Sequence, residues 1–158
     1  MFMQFTVKMQ DDGLEKIRKL NLERFYSKLI KEQPHKNWSP ELFNTAKEEY
    51  RRFLELEYRY PDLNFGPTCI MDDLWHQHIL DTKAYTRDCA EILGKYLHHA
   101  PSFDDSESEK DERMIEARGN LVEKYSMHFG GSPYGLQGPC TSGCAGTCGD
   151  CSDCDDDG

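Results

Sequence analysis

Apolar side chains recur along most of this chain at the spacing of amphipathic helices. In residues 11–32, the apolar positions three and four apart share one helical face: Leu22, Phe25, Tyr26 and Leu29. Asp11 or Asp12 can cap a helix here, and Pro34 would end it. The pattern therefore predicts a first helix from Asp11 or Asp12 to about Glu32.

A second helix is predicted to begin at Ser39-Pro40. Ser39 is a favourable N-cap, and Pro40 suits the first helical position, where an N–H is not needed. The helix should end at Tyr60, before Pro61. Its apolar residues again repeat at three and four: Phe43, Ala46, Tyr50, Phe53 and Leu54. One face of this helix is therefore expected to be buried.

Two helices with a sharp corner between them are predicted next. A turn-rich loop over 61–68 is followed by a helix at about 70–80 and another from 82 to about 98. Asp81 lies between them, where its carboxylate can cap the second helix. Pro101 should close this segment.

The last predicted helix follows an acidic linker at 102–112. Gly130-Gly131 should end it, because glycine readily takes the left-handed conformation of a helix stop. Its inward residues are expected to be Met114, Ala117, Leu121 and Tyr125, beside Ile115, Val122 and Phe129. The whole chain is thus predicted to be all-α, a bundle of about five helices.

The two ends of the chain have different patterns. In residues 1–10, apolar side chains occupy every second position, as in a half-buried strand: Met3, Phe5, Val7 and Met9. No partner strand follows, so this arm should dock on an internal segment or another chain, and a frayed terminus is the alternative. We therefore divide the chain into an arm at 1–10, a helical domain at 11–131 and an acidic, cysteine-rich tail at 132–158.

Net charge and hydropathy limit the classes of partner that the sequence favours. The formal charge of −10 disfavours nucleic acid, and no apolar run is long enough to span a membrane. The first ten residues lack the basic and apolar regions of a signal peptide. These features predict a soluble, intracellular protein in a reducing compartment, or a subunit of an assembled particle.

The tail has five closely spaced thiols: Cys140, Cys144, Cys148, Cys151 and Cys154. The last two intervals are C-x2-C steps, which can place two thiolates on one zinc ion. A flexible thiol-rich interaction tail and disulfides, within the chain or to a partner, are the alternatives. Zinc is accordingly the predicted cofactor, if the protein has one.

A motif in the middle of the chain resembles a known family. Trp75-His76-x-His78 is followed by Tyr85 and by Asp88-Cys89, a series that resembles the glycine-rich domain-containing-protein-like family over residues 40–100. The resemblance implies a helical fold and no established reaction.

A metal site formed by all four clustered histidines is not expected. His76 and His78 are two positions apart on one helix and should point to nearly opposite sides. If the following helix is continuous to His98, then His98 and His99 lie about 25 Å from Asp81. On this geometry the four histidines cannot all share one ion.

A smaller polar group remains possible at the predicted corner. His78, Asp81 and Tyr85 share a face if the helix continues, with Asp88 or Cys89 close behind. The favoured interpretation is a buried structural network, and a metal or ligand site or a catalytic group are the alternatives. Trp75 is predicted to be a core anchor.

The leading functional hypothesis is a non-enzymatic structural or interaction protein. Its helical domain would be a scaffold, and the arm and the tail would contact a protein partner or a second copy. The alternatives are a zinc-type metal-binding protein that uses the tail cysteines and an enzyme centred on His78, Asp81 and Cys89.

Overall fold

The computed structural model describes residues 12–99 and 107–136, with side chains from 112 in the second range. We label a helix at residues 12–19 as α1. The helices that follow are α2 (Tyr26–Glu32), α3 (Pro40–Arg59), α4 (Cys69–Leu80), α5 (Thr82–Leu93) and α6 (Glu107–Phe129). Short 3₁₀ turns occur at Glu23–Phe25 and Pro34–Lys36. These ranges contain no strand, which confirms the all-α prediction. The predicted arm at 1–10 and the tail cysteines lie outside the described residues.

The long helix α3 is the centre of the bundle and packs against α4, α5 and α6. It begins where predicted, because Ser39 Oγ accepts a hydrogen bond from the Leu42 N–H at 3.1 Å and Pro40 occupies the first turn. All five residues of its predicted apolar stripe are buried: Phe43, Ala46, Tyr50, Phe53 and Leu54.

The single helix predicted over residues 11–32 is wrong, because the chain breaks between α1 and α2. Residues 20–22 are not helical, and Leu20 and Leu22 are both buried. Polar groups at the break are hydrogen-bonded. Arg51 Nη2 donates to the Leu20 carbonyl at 3.1 Å, and the Glu23 N–H donates to Asn21 Oδ1 at 3.3 Å.

The corner between α4 and α5 forms at Asp81, as predicted. Asp81 Oδ1 accepts a hydrogen bond from the Ala84 N–H at 3.4 Å. The predicted end of the second helix at about residue 98 is wrong. Helix α5 ends at Leu93 because Gly94 is left-handed, with φ of 68°. Residues 95–99 then fold back onto the bundle, and Leu97 is buried.

The helix α6 packs against α3 through the second half of its predicted face. Leu121 and Tyr125 are buried, whereas Met114 is exposed, so the predicted face is only partly correct. Glu49 ties this helix and the following segment to α3, since its carboxylate accepts from Tyr125 Oη at 2.6 Å and from the Tyr134 N–H at 3.1 Å. Within the described ranges, every helix is too short or too polar to span a bilayer.

Candidate functional site

Helix α4 presents two different polar faces. The His78 side chain is 2% exposed, and the His76 side chain is 47% exposed. The two imidazoles therefore point to opposite sides of the helix, as their spacing predicts. One face forms a buried network, and the other forms a cluster at the surface.

On the buried face, His78 is held through both ring nitrogens. Nδ1 lies 2.9 Å from Tyr50 Oη, and Nε2 lies 3.0 Å from Asp88 Oδ2. Arg87 donates to the other oxygen of Asp88 at 2.8 Å. The predicted pairing of His78 with Asp81 is corrected here, because the carboxylate that contacts His78 belongs to Asp88.

Asp81 instead lies at the surface end of the corner. Besides capping α5, its carboxylate forms an ion pair with Arg24 at 3.1 Å. A catalytic group made of His78, Asp81 and Cys89 therefore lacks the contact between its histidine and Asp81. The i, i+3 spacing fails as a predictor because the two helices meet at a corner and do not continue as one helix.

The electrostatics of the buried face disfavour its charged nucleophilic forms. Burial raises the pKa of the Cys89 thiol, which makes the reactive thiolate less accessible. Burial likewise raises the pKa of Tyr50 and lowers the pKa of His78, although the hydrogen bond from His78 to Asp88 opposes the latter effect. At neutral pH this arrangement is a neutral imidazole bridging a phenol and a carboxylate.

Trp75 and Tyr85 connect the corner to the chain beyond α5. The Trp75 indole N–H donates to Tyr85 Oη at 2.8 Å, and Tyr85 Oη donates to the Leu97 carbonyl at 2.6 Å. Trp75 is buried with its ring 5.0 Å from that of Phe53, as a core anchor would be.

The surface cluster consists of Asp72, His76 and His99. Asp72 and His76 are one turn apart on α4, and His99 comes from the segment after α5. His99 Nε2 lies 2.9 Å from Asp72 Oδ1 and 3.0 Å from His76 Nε2, and His76 Nδ1 lies 3.5 Å from Asp72 Oδ2. One potential ligand atom from each residue lies within 4.8 Å of the other two.

This cluster corrects one step of the geometric argument, the expectation that the chain after Asp81 carries both His98 and His99 away from α4. That argument assumed a continuous helix to His98, and the left-handed Gly94 instead turns the chain back towards α4. His99 thereby reaches His76, whereas His98 is exposed and its ring centre lies 4.8 Å from that of Tyr96. Gly94 was the available sequence signal, because glycine at this position can end a helix.

The three side chains of the cluster already contact one another. If His99 Nε2 carries a hydrogen, that N–H can be donated to Asp72; if it does not, its lone pair faces an Asp72 oxygen at 2.9 Å. Asp72 is only 5% exposed, and its two carboxylate oxygens lie 2.9 Å from His99 Nε2 and 3.5 Å from His76 Nδ1. A cation among the three atoms would accept a lone pair from each, so the donor set suits zinc-like ions.

Comparison with known proteins identifies a family but indicates no activity. A family model described as UCP032817-like matches residues 13–120, more than half of the chain. No curated protein and no solved structure gives a significant match. The resemblance to the glycine-rich domain-containing-protein-like family is not tested by this match and stays a prediction.

Proposed function

The chain belongs to the UCP032817-like family, and we propose that it binds a divalent metal ion of the zinc type through Asp72, His76 and His99. The observation that supports this proposal is the convergence of two imidazoles and one buried carboxylate on a single point of the surface. Imidazole and carboxylate are ligands that zinc and related first-row ions accept together.

The distances in the cluster are close to those of a coordinated ion. Zinc bonds of about 2.0–2.1 Å in a tetrahedron separate neighbouring ligand atoms by about 3.3 Å. The contacts of His99 Nε2 with Asp72 and His76 are 2.9 and 3.0 Å. Shifts of a few tenths of an ångström would therefore bring these two distances to those of a zinc site, and the ligand atoms of His76 and Asp72 lie within 4.8 Å of each other.

The ligand set is partly preformed by the helix. Asp72 and His76 are at i and i+4 on α4, so their separation is fixed by the helical turn. His99 is the distant ligand in the sequence, 27 residues from Asp72. Removing His99 should therefore lower metal affinity without removing the other two ligands.

The test is metal binding by the 158-residue chain in which the five tail cysteines are replaced by serine, so that thiolates cannot contribute. We expect about one equivalent of Zn²⁺ by calorimetry and visible absorption from bound Co²⁺. His76→Ala and His99→Ala should each weaken Zn²⁺ binding by at least about tenfold.

His98→Ala is the matched control, because it removes the neighbouring imidazole, which is exposed and outside the cluster. It should leave the affinity unchanged. Equal affinities of the His98→Ala and His99→Ala variants, or no binding by the parent chain, would refute the proposal. Zinc bound only when the tail cysteines are present would instead favour the predicted tail site.

A second candidate function is the structural or interaction protein predicted from the sequence, with contacts made by the arm and the tail. One observation favours a further contact surface on α6, beside the arm and the tail: Met114, Ile115 and Val122 are exposed, Ile115 to 72%. Deletion of residues 1–10 should abolish self-association or partner binding and leave the helical content unchanged. A deletion that unfolds the chain would contradict this role of the arm.

A further inference from the structure

We propose that Tyr85 is a positioning residue for the metal centre, holding the segment that delivers His99 to Asp72 and His76. This inference rests on the proposed function and goes beyond it, because Tyr85 does not contact the ion position. The Tyr85 hydroxyl is buried, and the three ligands alone do not explain its role.

The segment that carries His99 has no helical hydrogen bonds of its own. Residues 96–99 are irregular and follow the left-handed turn at Gly94. A segment of this kind must be ordered before its side chain can serve as a ligand, and the ordering costs conformational entropy. Its backbone is held by the 2.6 Å hydrogen bond from Tyr85 Oη to the Leu97 carbonyl, and the Leu97 backbone also hydrogen-bonds the Cys89 thiol.

Tyr85 is itself rigidly placed relative to the other two ligands. It is buried, and its oxygen accepts the Trp75 indole N–H at 2.8 Å. Trp75 is on α4, in the same turn as Asp72 and His76, and its ring centre lies 4.6 Å from that of His99. The hydroxyl of Tyr85 thus links the helix that holds two ligands to the backbone two residues before the third.

The consequence is a preorganised site. With Leu97 fixed, His99 has little freedom to leave the cluster, so a metal ion does not have to order the segment on binding. Loss of the hydroxyl frees the Leu97 carbonyl and lets His99 move. Partners that orient metal ligands in this way typically change the affinity by tenfold or more when they are removed.

The matched pair of variants is Tyr85→Phe and Tyr50→Phe. Both remove a buried phenol hydroxyl beside α4, but the Tyr50 hydroxyl contacts His78 on the opposite face of the helix. In the chain with serine in place of the tail cysteines, we expect Tyr85→Phe to weaken Zn²⁺ binding about tenfold. Tyr50→Phe should change it by less than about twofold.

Two further measurements separate positioning from simple destabilisation. The visible absorption of bound Co²⁺ should weaken in Tyr85→Phe, because loss of His99 leaves fewer protein ligands, and should keep its shape in Tyr50→Phe. Gly94→Ala is a second variant: an alanine there strains the turn at φ of 68° but meets no atom within 4 Å. It should also weaken Zn²⁺ binding several-fold without disturbing the core.

The outcomes distinguish the two proposals. If the parent chain binds Zn²⁺ and Tyr85→Phe binds it as tightly, the positioning role is wrong and the metal site stands. Equal losses in Tyr85→Phe and Tyr50→Phe would also overturn the positioning role. If the parent chain binds no metal, both proposals fail.

Discussion

Glu57 offers a quantitative test of how burial controls the electrostatics of this bundle. It lies on α3 and is 5% exposed, in a sequence position that looks like part of a charged helix face. Burial raises the pKa of its carboxyl from 4.5 to about 7, although the nearby Lys95 ammonium lowers it in part. Glu57 is therefore expected to take up a proton on folding in mildly acidic solution.

The sign of the effect on stability follows from the two pKa values. Between pH 4.5 and about 7, the folded chain holds a proton on Glu57 that the unfolded chain has lost, so stability falls as the pH rises through this window. The penalty is complete above about pH 7. The two values differ by about 2.5, and each pKa unit corresponds to about 1.4 kcal/mol, which gives a penalty of about 3 kcal/mol at pH 8.

Glu57→Gln removes this penalty because an amide cannot ionise. We expect the variant to be more stable than the parent by about 3 kcal/mol at pH 8 and nearly equal to it at pH 4.5, measured by urea denaturation. Glu48→Gln is the control, since Glu48 is an exposed side chain paired with Arg51, worth less than about 1 kcal/mol. Parallel pH profiles for the parent and Glu57→Gln would refute the reasoning.

Three further outcomes are expected. Asp88→Ala should lower the free energy of unfolding by about 2–3 kcal/mol, because it strands His78 Nε2 in the core; a smaller loss than in Asp81→Ala would contradict the observed pairing. Ser39→Ala should cost about 1 kcal/mol through loss of the α3 cap, measured as a shift of the urea midpoint. In the chain with serine at Cys69 and at the tail cysteines, Cys89 should react with a thiol reagent only on unfolding, because it is buried and burial raises the pKa of its thiol; rapid reaction of the folded chain would contradict this.

Features that depend on one local signal were predictable from the sequence. The start of α3 requires only Ser39-Pro40, and the end of α6 requires only Gly130-Gly131, both of which have positive φ. The apolar stripe of α3 was also predictable. The residues that this central helix buries repeat along the sequence with the 3.6-residue period of a helix.

The parts that were not predictable depend on contacts between distant residues. The break at Leu20–Leu22 is stabilised by Arg51, and a helical pattern at residues 11–32 contains no sign of that partner. The surface cluster depends on the fold-back at Gly94. The residues on both sides of this glycine are compatible with a helix, so the sequence did not show that α5 ends there. Asp88 was predicted only as one of two neighbours of His78, since the bend of the corner decides which carboxylate comes within reach.

The fold-back at Gly94 also bears on the order in which the chain assembles. The contact between Asp72 and His99 spans 27 residues, whereas that between Glu49 and Tyr125 spans 76. Closing the longer loop costs about 1 kcal/mol more entropy, and local contacts generally form sooner. The α4–α5 corner should accordingly form before α6 docks, so the three side chains of the proposed metal site should come together on a chain that is still folding.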